Sequence, residues 1–270
     1  MPPANRRARE SRTYDPAMVR KALIGQLEAV AEGARQLTPE QRALPSGLPG
    51  WDVHALLVHI ALQIDAVPRM LGAPAPRVAK PEVSLASWAW ATAGAAAELD
   101  DQARSEAAGS PDGVARIEAA IADLEPVLEA AVREDVLVPH PGGAMRVLDF
   151  TVTRLVELVV HSDDLTRATG TPVRLNRQAL ASTVRLLVDA LAAKAPGRSV
   201  ELRVPPFAVT QCVEGPRHTR GTPPNVVEAD AITWIRLATG RTDWAAALAT
   251  GRLTASGERA DLGGHLPVLG

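Results

Sequence analysis

The sequence predicts an α+β chain of two unlike parts, helical over residues 15–170 and mixed over residues 171–270. Three observations carry that expectation. Apolar residues recur at three- and four-residue spacing through the first part. Gly170-Thr171-Pro172 then stops a long helix and marks a domain boundary. One further helix follows before the apolar period falls to two, the signature of strands. The size suits this division, since 270 residues make one large domain or two ordinary ones. Hydrophobic residues at 46% and charged residues at 22% describe a globular chain, and with aromatics at 3% its core must be aliphatic.

Residues 1–14 are basic and polar and read as a disordered tail. Arg6, Arg7 and Arg9 lie there, but no folded basic surface follows, and a net charge of −2 gives no general attraction to nucleic acid or anionic membranes. Asp15 caps a first helix with Pro16 in its first turn, and Val19, Leu23, Leu27, Val30 and Ala34 form its apolar stripe. Thr38 and Gln41 form a capping box. After a loop from Pro45 to Gly50, a second long helix starts near Trp51 (WDVHALLVHIALQIDAV), and Pro68 ends or kinks it. The segment 72–81 is a Pro- and Ala-rich connection, and a third helix runs from Ser84 to Ala108. Ser110-Pro111 caps a fourth, bent at Pro126. His140 falls in a solvated loop, PHPGG.

The next helix, from Arg146 to Gly170, is apolar over most of its circumference. Asn176 caps another, with Leu180, Val184, Leu187 and Leu191 inward. SVELRV and FAVTQCVEG are strands, and a third lies between Arg217 and Val227. Asp230 caps a helix closed by Gly240, Thr242 caps another, and RLTASG is a last short strand. A single cysteine, Cys212, excludes an internal disulfide, suits a reducing cytosol, and in its apolar setting reads as a buried structural thiol. No apolar run approaches the roughly 18 residues of a membrane span, and no signal-peptide core opens the chain. A cytoplasmic protein, monomeric or a weak dimer, is therefore expected. Phosphate-binding glycine loops, Cys-x-x-Cys pairs and Gly-x-Ser-x-Gly elbows are absent from the sequence.

One stripe breaks the apolar pattern of the Arg146–Gly170 helix. Glu157 and His161 are four residues apart and project from one face, and Asp164 follows a turn later. A carboxylate and an imidazole at that spacing can share a metal ion, as the histidines of an H-E-x-x-H helix do. The same stripe, with Arg146, Thr153 and Arg154, is equally a solvated helix face. On the second helix, His54 and His59 point about 140° apart. His54 faces a mixed outer side. His59 shares a stripe with Ala55, Leu62 and Ala66, where it is either a hydrogen-bonded core histidine or a ligand.

Three stretches together resemble a known family. LPGWDVHALLVHIA is similar to the first signature of the DinB-like, mycothiol-dependent maleylpyruvate isomerase family, a Trp ahead of a helix with one metal-binding His. VELVVHSDDLTRATG resembles the second, Glu-x-x-x-His followed by Asp. ADAITWIRLATGRTDWAAALATGRLTASGERADL looks like the small sterol-carrier-like domain attached to many members. The resemblance implies a DinB-like four-helix bundle over residues 15–170 and a sterol-carrier-like α+β domain over residues 171–270. It also implies metal ligation by His59, Glu157 and His161, and catalytic help from Asp164 and from a C-terminal arginine, for which Arg252 and Arg259 are the candidates.

Two imidazoles and one carboxylate would leave a position open on Zn²⁺ or another divalent metal, as catalytic sites do. The implied activity is isomerisation or thiol transfer on a small electrophilic substrate, with a low-molecular-weight thiol such as mycothiol as cofactor. The alternative expectation is a non-catalytic protein that holds a lipid or other small molecule in the sterol-carrier-like domain.

Overall fold

The computed structural model describes residues 12–216 and 223–269. Helix α1 (Pro16–Gln36) is capped by Asp15, whose carboxylate accepts from the Met18 amide at 2.8 Å. The short α2 (Pro39–Arg42) carries the complete Thr38/Gln41 capping box. Helix α3 (Val53–Gly72) starts at Asp52, and α4 (Leu85–Gly109) starts at Ser84 with Ser87 reciprocating. Helix α5 (Gly113–Leu124) continues through a 3₁₀ turn at Glu125–Val127 into α6 (Leu128–Ala131). A hairpin of β1 (Leu137–His140) and β2 (Gly143–Arg146) leads into α7 (Val147–Thr169), which Gly170 ends at φ 71°. Such a left-handed stop is cheap only for glycine.

Helix α8 (Arg177–Lys194) begins at Asn176 and runs to the sheet. The strands are β3 (Val200–Val204), β4 (Ala208–Cys212), β5 (Val226–Ala229) and β6 (Leu253–Ser256), in the order β4-β3-β5-β6. Only the β3–β5 pair is parallel. Helices α9 (Ala231–Ala238) and α10 (Trp244–Ala249) fill the β5–β6 connection. Along β3, Val200, Leu202 and Val204 are buried while Glu201 and Arg203 are half-exposed, which is the predicted period of two. The molecule is thus a helical N-terminal part followed by a small mixed α+β part. Helix α8 joins them: it packs on α1, α4 and α7 on one side and on β4 and α9 on the other.

Several local expectations are corrected. Pro68 lies inside α3 and does not end it; it removes one backbone hydrogen bond near the C-terminus, and burial of the helix carries it on to Gly72. Asp112, not Ser110-Pro111, caps α5, because its carboxylate reaches the Val114 and Ala115 amides while Ser110 closes α4. Asp243, not Thr242, caps α10. PHPGG is the turn of the β1–β2 hairpin, and His140 is half-buried at a strand end. The third strand begins at Val226; the earlier part of its expected span, residues 217–222, lies outside the described residues, as do Arg6, Arg7 and Arg9. Arg12 pairs with Asp189 of α8 at 2.7 Å, and Tyr14 is buried.

Contrary to the sequence expectation, one helix among the described residues is long and apolar enough to cross a membrane: α3, with a mean hydropathy of 1.3. Its window is 67% buried, and it carries His59, Gln63 and Asp65, so it reads as the core helix of the bundle. Leu56, Leu57, Ile60 and Ile64 on α3 meet Leu155, Leu158 and Val159 of α7 in one apolar core.

Candidate metal centre

The α3–α7 contact brings three side chains together from far apart in sequence. His59 reaches from α3; Glu157 and His161 reach from α7, one turn apart. One ligand atom from each lies within 4.8 Å of the others. The His161 Nε2 atom is 3.2 Å from Glu157 Oε2. The two imidazole rings meet edge to face, with centroids 4.9 Å apart at 85°. Trp51 closes another side, its ring centroid 4.9 Å from that of His59. Both histidines are buried, so the stripe is not a solvated face.

Each ligand is aimed by a neighbour. The His161 Nδ1 atom is 3.0 Å from Asp164 Oδ2, which fixes the tautomer and leaves Nε2 directed at Glu157 and His59. Asp164 is itself held by Arg241, whose Nη2 donates to it at 3.0 Å. Next to it, Arg236 of α9 donates to both oxygens of Asp163 at 2.8 and 2.6 Å. Around His59, the Gln63 amide lies 3.1 Å from Nε2, and Arg154 donates to Gln63 Oε1. The Arg154 guanidinium lies over the Phe150 and Trp88 rings, 5.0 and 5.9 Å from their centroids. A cavity of about 40 Å³ opens beside His59, lined also by Leu62, Gln63, Ala66 and Arg154.

The electrostatics follow from this packing. Burial alone would raise the Glu157 carboxyl, but the hydrogen bond from His161 and the positive charge of Arg154 outweigh it and hold the group down at about 2. Asp164 is likewise held at about 2, with burial overcome by His161 and Arg241. Burial pushes the His59 imidazole down to about 3, helped by the charge of His161. His161 moves the other way: burial opposes its protonation, but the hydrogen bonds to Asp164 and Glu157 raise it. His59 is thus a neutral imidazole near the ionised Glu157, which is a ligand state, and its buried Nδ1 has no hydrogen-bond partner. Two nitrogens and one carboxylate oxygen, with an orphaned ring nitrogen among them, fit a divalent cation.

The expected Asp164 is therefore at the centre, buried and tied to His161. Arg252 and Arg259 are exposed, just before and after β6, and no described contact joins either to this cluster. The arginines that do reach α7 are Arg241 and Arg236. Sequence reasoning passed over both, although Arg236 sits on an amphipathic helix and Arg241 directly follows its glycine stop. His54 stands apart, its Nε2 3.3 Å from the Ala107 carbonyl.

Comparison with known proteins agrees with this architecture. Residues 23–166 match the family model described as the mycothiol maleylpyruvate isomerase N-terminal domain, more than half of the chain. Residues 176–268 match the model described as a bacterial SCP ortholog. Two solved structures are similar over 90% of this chain and 93% of their own: a mycothiol-dependent maleylpyruvate isomerase (TM-score 0.60, 15% identity) and a histidine-to-alanine mutant of it (TM-score 0.61, 15% identity). At that identity the likeness is one of fold. A search of curated protein sequences returned no match.

Proposed function

The chain belongs to the mycothiol maleylpyruvate isomerase N-terminal domain family, and from that premise we propose that it is a divalent-metal-dependent enzyme using a low-molecular-weight thiol on a small electrophilic substrate. The convergence of His59, Glu157 and His161 carries the reading. These three side chains would hold the ion, Zn²⁺ being the natural choice for two imidazoles and a carboxylate with a position left open. When bound, the ion would supply a Lewis acid and lower the pKa of a thiol.

The reaction class is addition of the thiol sulfur across an activated carbon–carbon double bond. Rotation about the resulting single bond and departure of the same thiol give an isomer; retention of the thiol gives a conjugate. In both branches the proton gained by the carbanion is the one the thiol gives up, and in the isomerisation it is returned. Asp164 accepts from His161 Nδ1 and keeps the ring from turning. Arg241 neutralises Asp164 and brings the C-terminal part of the chain to the site, taking the role for which Arg252 and Arg259 were expected. Gln63 and Arg154 line the small cavity beside His59, where they would contact a polar substrate group. The cavity leaves room for a reactive head group and not for the body of a large cofactor.

Metal analysis of the native protein tests the proposal. It predicts about one divalent ion per chain, lost in His59→Ala and Glu157→Ala. A cobalt-loaded sample should change its visible spectrum when a small thiol is added. A native protein without metal that neither takes up zinc nor responds to thiol would end the reading. The lipid-binding alternative has less behind it, because the 40 Å³ cavity takes no residue from 171–270 and the larger one described next takes only α8 from it, with the rest of its wall from the N-terminal part.

A further inference from the structure

A cavity of about 400 Å³ lies away from the metal centre. It sits at the opposite end of α7, where Asp149 precedes His161 by twelve residues, about 18 Å along the helix. The segment 81–86 and the start of α4 form one wall. Leu186, Asp189 and Ala190 of α8 form another, and Arg12 to Tyr14 cross the top. The volume falls in the range of about 300–1,000 Å³ of small-molecule sites.

Its polar groups are not equally satisfied. Arg12 and Asp189 pair with each other, and Glu82 accepts from the Ala144 amide at 2.9 Å. Arg146 and Asp149, at the floor, are left over. Their closest approach is 3.9 Å, too long for a hydrogen bond. Arg146 Nε is buried without a partner. Asp149 accepts no hydrogen bond from any described residue. Side by side, then, are a cationic donor and an anionic acceptor joined only by a long ion pair, under a wall of Val83, Leu186 and Ala190. Both side chains are partly buried, 32% and 18% exposed, and Arg146 Nε is fully so; polar groups held in a cavity without hydrogen-bond partners are costly, so a site that sets two of opposite charge together suits a ligand that completes both.

We propose that this cavity is a second ligand site, for a small zwitterion of the α-amino-acid type with an apolar side chain. The ligand's carboxylate accepts from Arg146, its ammonium donates to Asp149, and its side chain lies against the aliphatic wall. A simple anion is disfavoured, because three carboxylates (Glu82, Asp149, Asp189) face two guanidinium groups (Arg12, Arg146). A simple cation would leave Arg146 Nε as it is. The zwitterion alone answers both.

The test is calorimetric titration of the full-length protein with L-leucine and its two halves, 3-methylbutylamine (no carboxylate) and 4-methylpentanoate (no ammonium). Leucine should bind with a dissociation constant in the millimolar range or below, and each half at least tenfold more weakly. Asp149→Asn and Arg146→Gln should each reduce leucine affinity at least tenfold. Ala193→Trp, at the exposed mouth, should block binding without touching either charge. His59→Ala should bind leucine as the native protein does, which separates this site from the metal reading. No leucine binding up to 10 mM, binding equal to that of either half, or binding unmoved by Asp149→Asn would each overturn the proposal.

Discussion

The two ends of α7 carry the same kinds of residue and treat them in opposite ways. Toward its C-terminus, Glu157, Asp163 and Asp164 each sit beside a partner: His161 for the first, Arg236 for the second, His161 and Arg241 for the third. Toward its N-terminus, Asp149 is partly buried and has only Arg146, at 3.9 Å. Burial pushes its carboxyl up, opposed weakly by Arg146, whereas Glu157 and Asp164 are held down at about 2. Position on the helix does not explain this, since a carboxylate is better placed at the N-terminal end of the dipole. The difference lies in what other elements deliver. Residues 236 and 241 bring two guanidinium groups to one end, and no element among the described residues brings a hydrogen-bond donor to Asp149.

Removing the carboxylate from the satisfied end should therefore cost the most. Asp164→Ala leaves the buried His161 ring and Arg241 facing each other without the anion between them. Breaking such a buried network by one partner costs about 3–5 kcal/mol. Urea unfolding of the metal-free protein should show a loss of that size, and a change below about 1 kcal/mol would mean that Asp164 is not the hub of this end. Acid acts on the same groups. Because Glu157 and Asp164 titrate below their unfolded values of roughly 4, their contribution is fully present above that pH and is lost as pH falls toward about 2. A stability curve flat between pH 5 and pH 2.5 would contradict it. Metal and proton should also compete at His161, whose affinity for a proton is raised. Zinc affinity should fall at least tenfold between pH 7.5 and pH 5.5, with proton release seen by calorimetry in buffers of different ionisation enthalpy.

Much of the satisfied end was legible in the sequence. The four-residue spacing of Glu157 and His161 and the three-residue step to Asp164 put them on one face of a helix whose limits the periodicity gave almost to the residue. His59 stood out as the imidazole on an apolar stripe. What spacing could not say was whether that face met water. The answer depends on α3 covering one side and residues 236–241 the other, and those contacts join positions more than seventy residues apart. The same gap explains why Arg252 and Arg259 were expected and Arg241 was not: a side chain just after a helix stop is aimed by tertiary packing alone. The β1–β2 hairpin is a different failure. Leu137-Val138-Pro139-His140 and Gly143-Ala144-Met145-Arg146 flank a two-residue Pro-Gly turn, and the short strands were hidden by the weight of Pro and Gly in a stretch read as loop.

The smallest effect is the most discriminating, because its sign is opposite at the two ends. Asp149 has a folded-state pKa above its ordinary value, so the folded state takes up its proton more readily than the unfolded chain does. A carboxyl raised in this way favours folding below the unfolded pKa of roughly 3.9, and that advantage is lost as pH rises through the raised value. At pH 7 the ionised group is a cost, offset in part by Arg146. Asp149→Asn removes the charge and keeps the shape, so it should leave stability at pH 7 unchanged or raise it by up to about 1 kcal/mol, and the gain should shrink as the pH is lowered toward 4. Asp164→Asn should do the reverse, costing most at pH 7 and least in acid. Denaturation of both variants at pH 7 and pH 4 reads the change at Asp149, and a third point at pH 2.5 reads the loss at Asp164, whose contribution persists down to roughly pH 4. If Asp149→Asn is the more damaging of the two at pH 7, Asp149 is already satisfied within the fold, and the contrast between the two ends of α7 is lost.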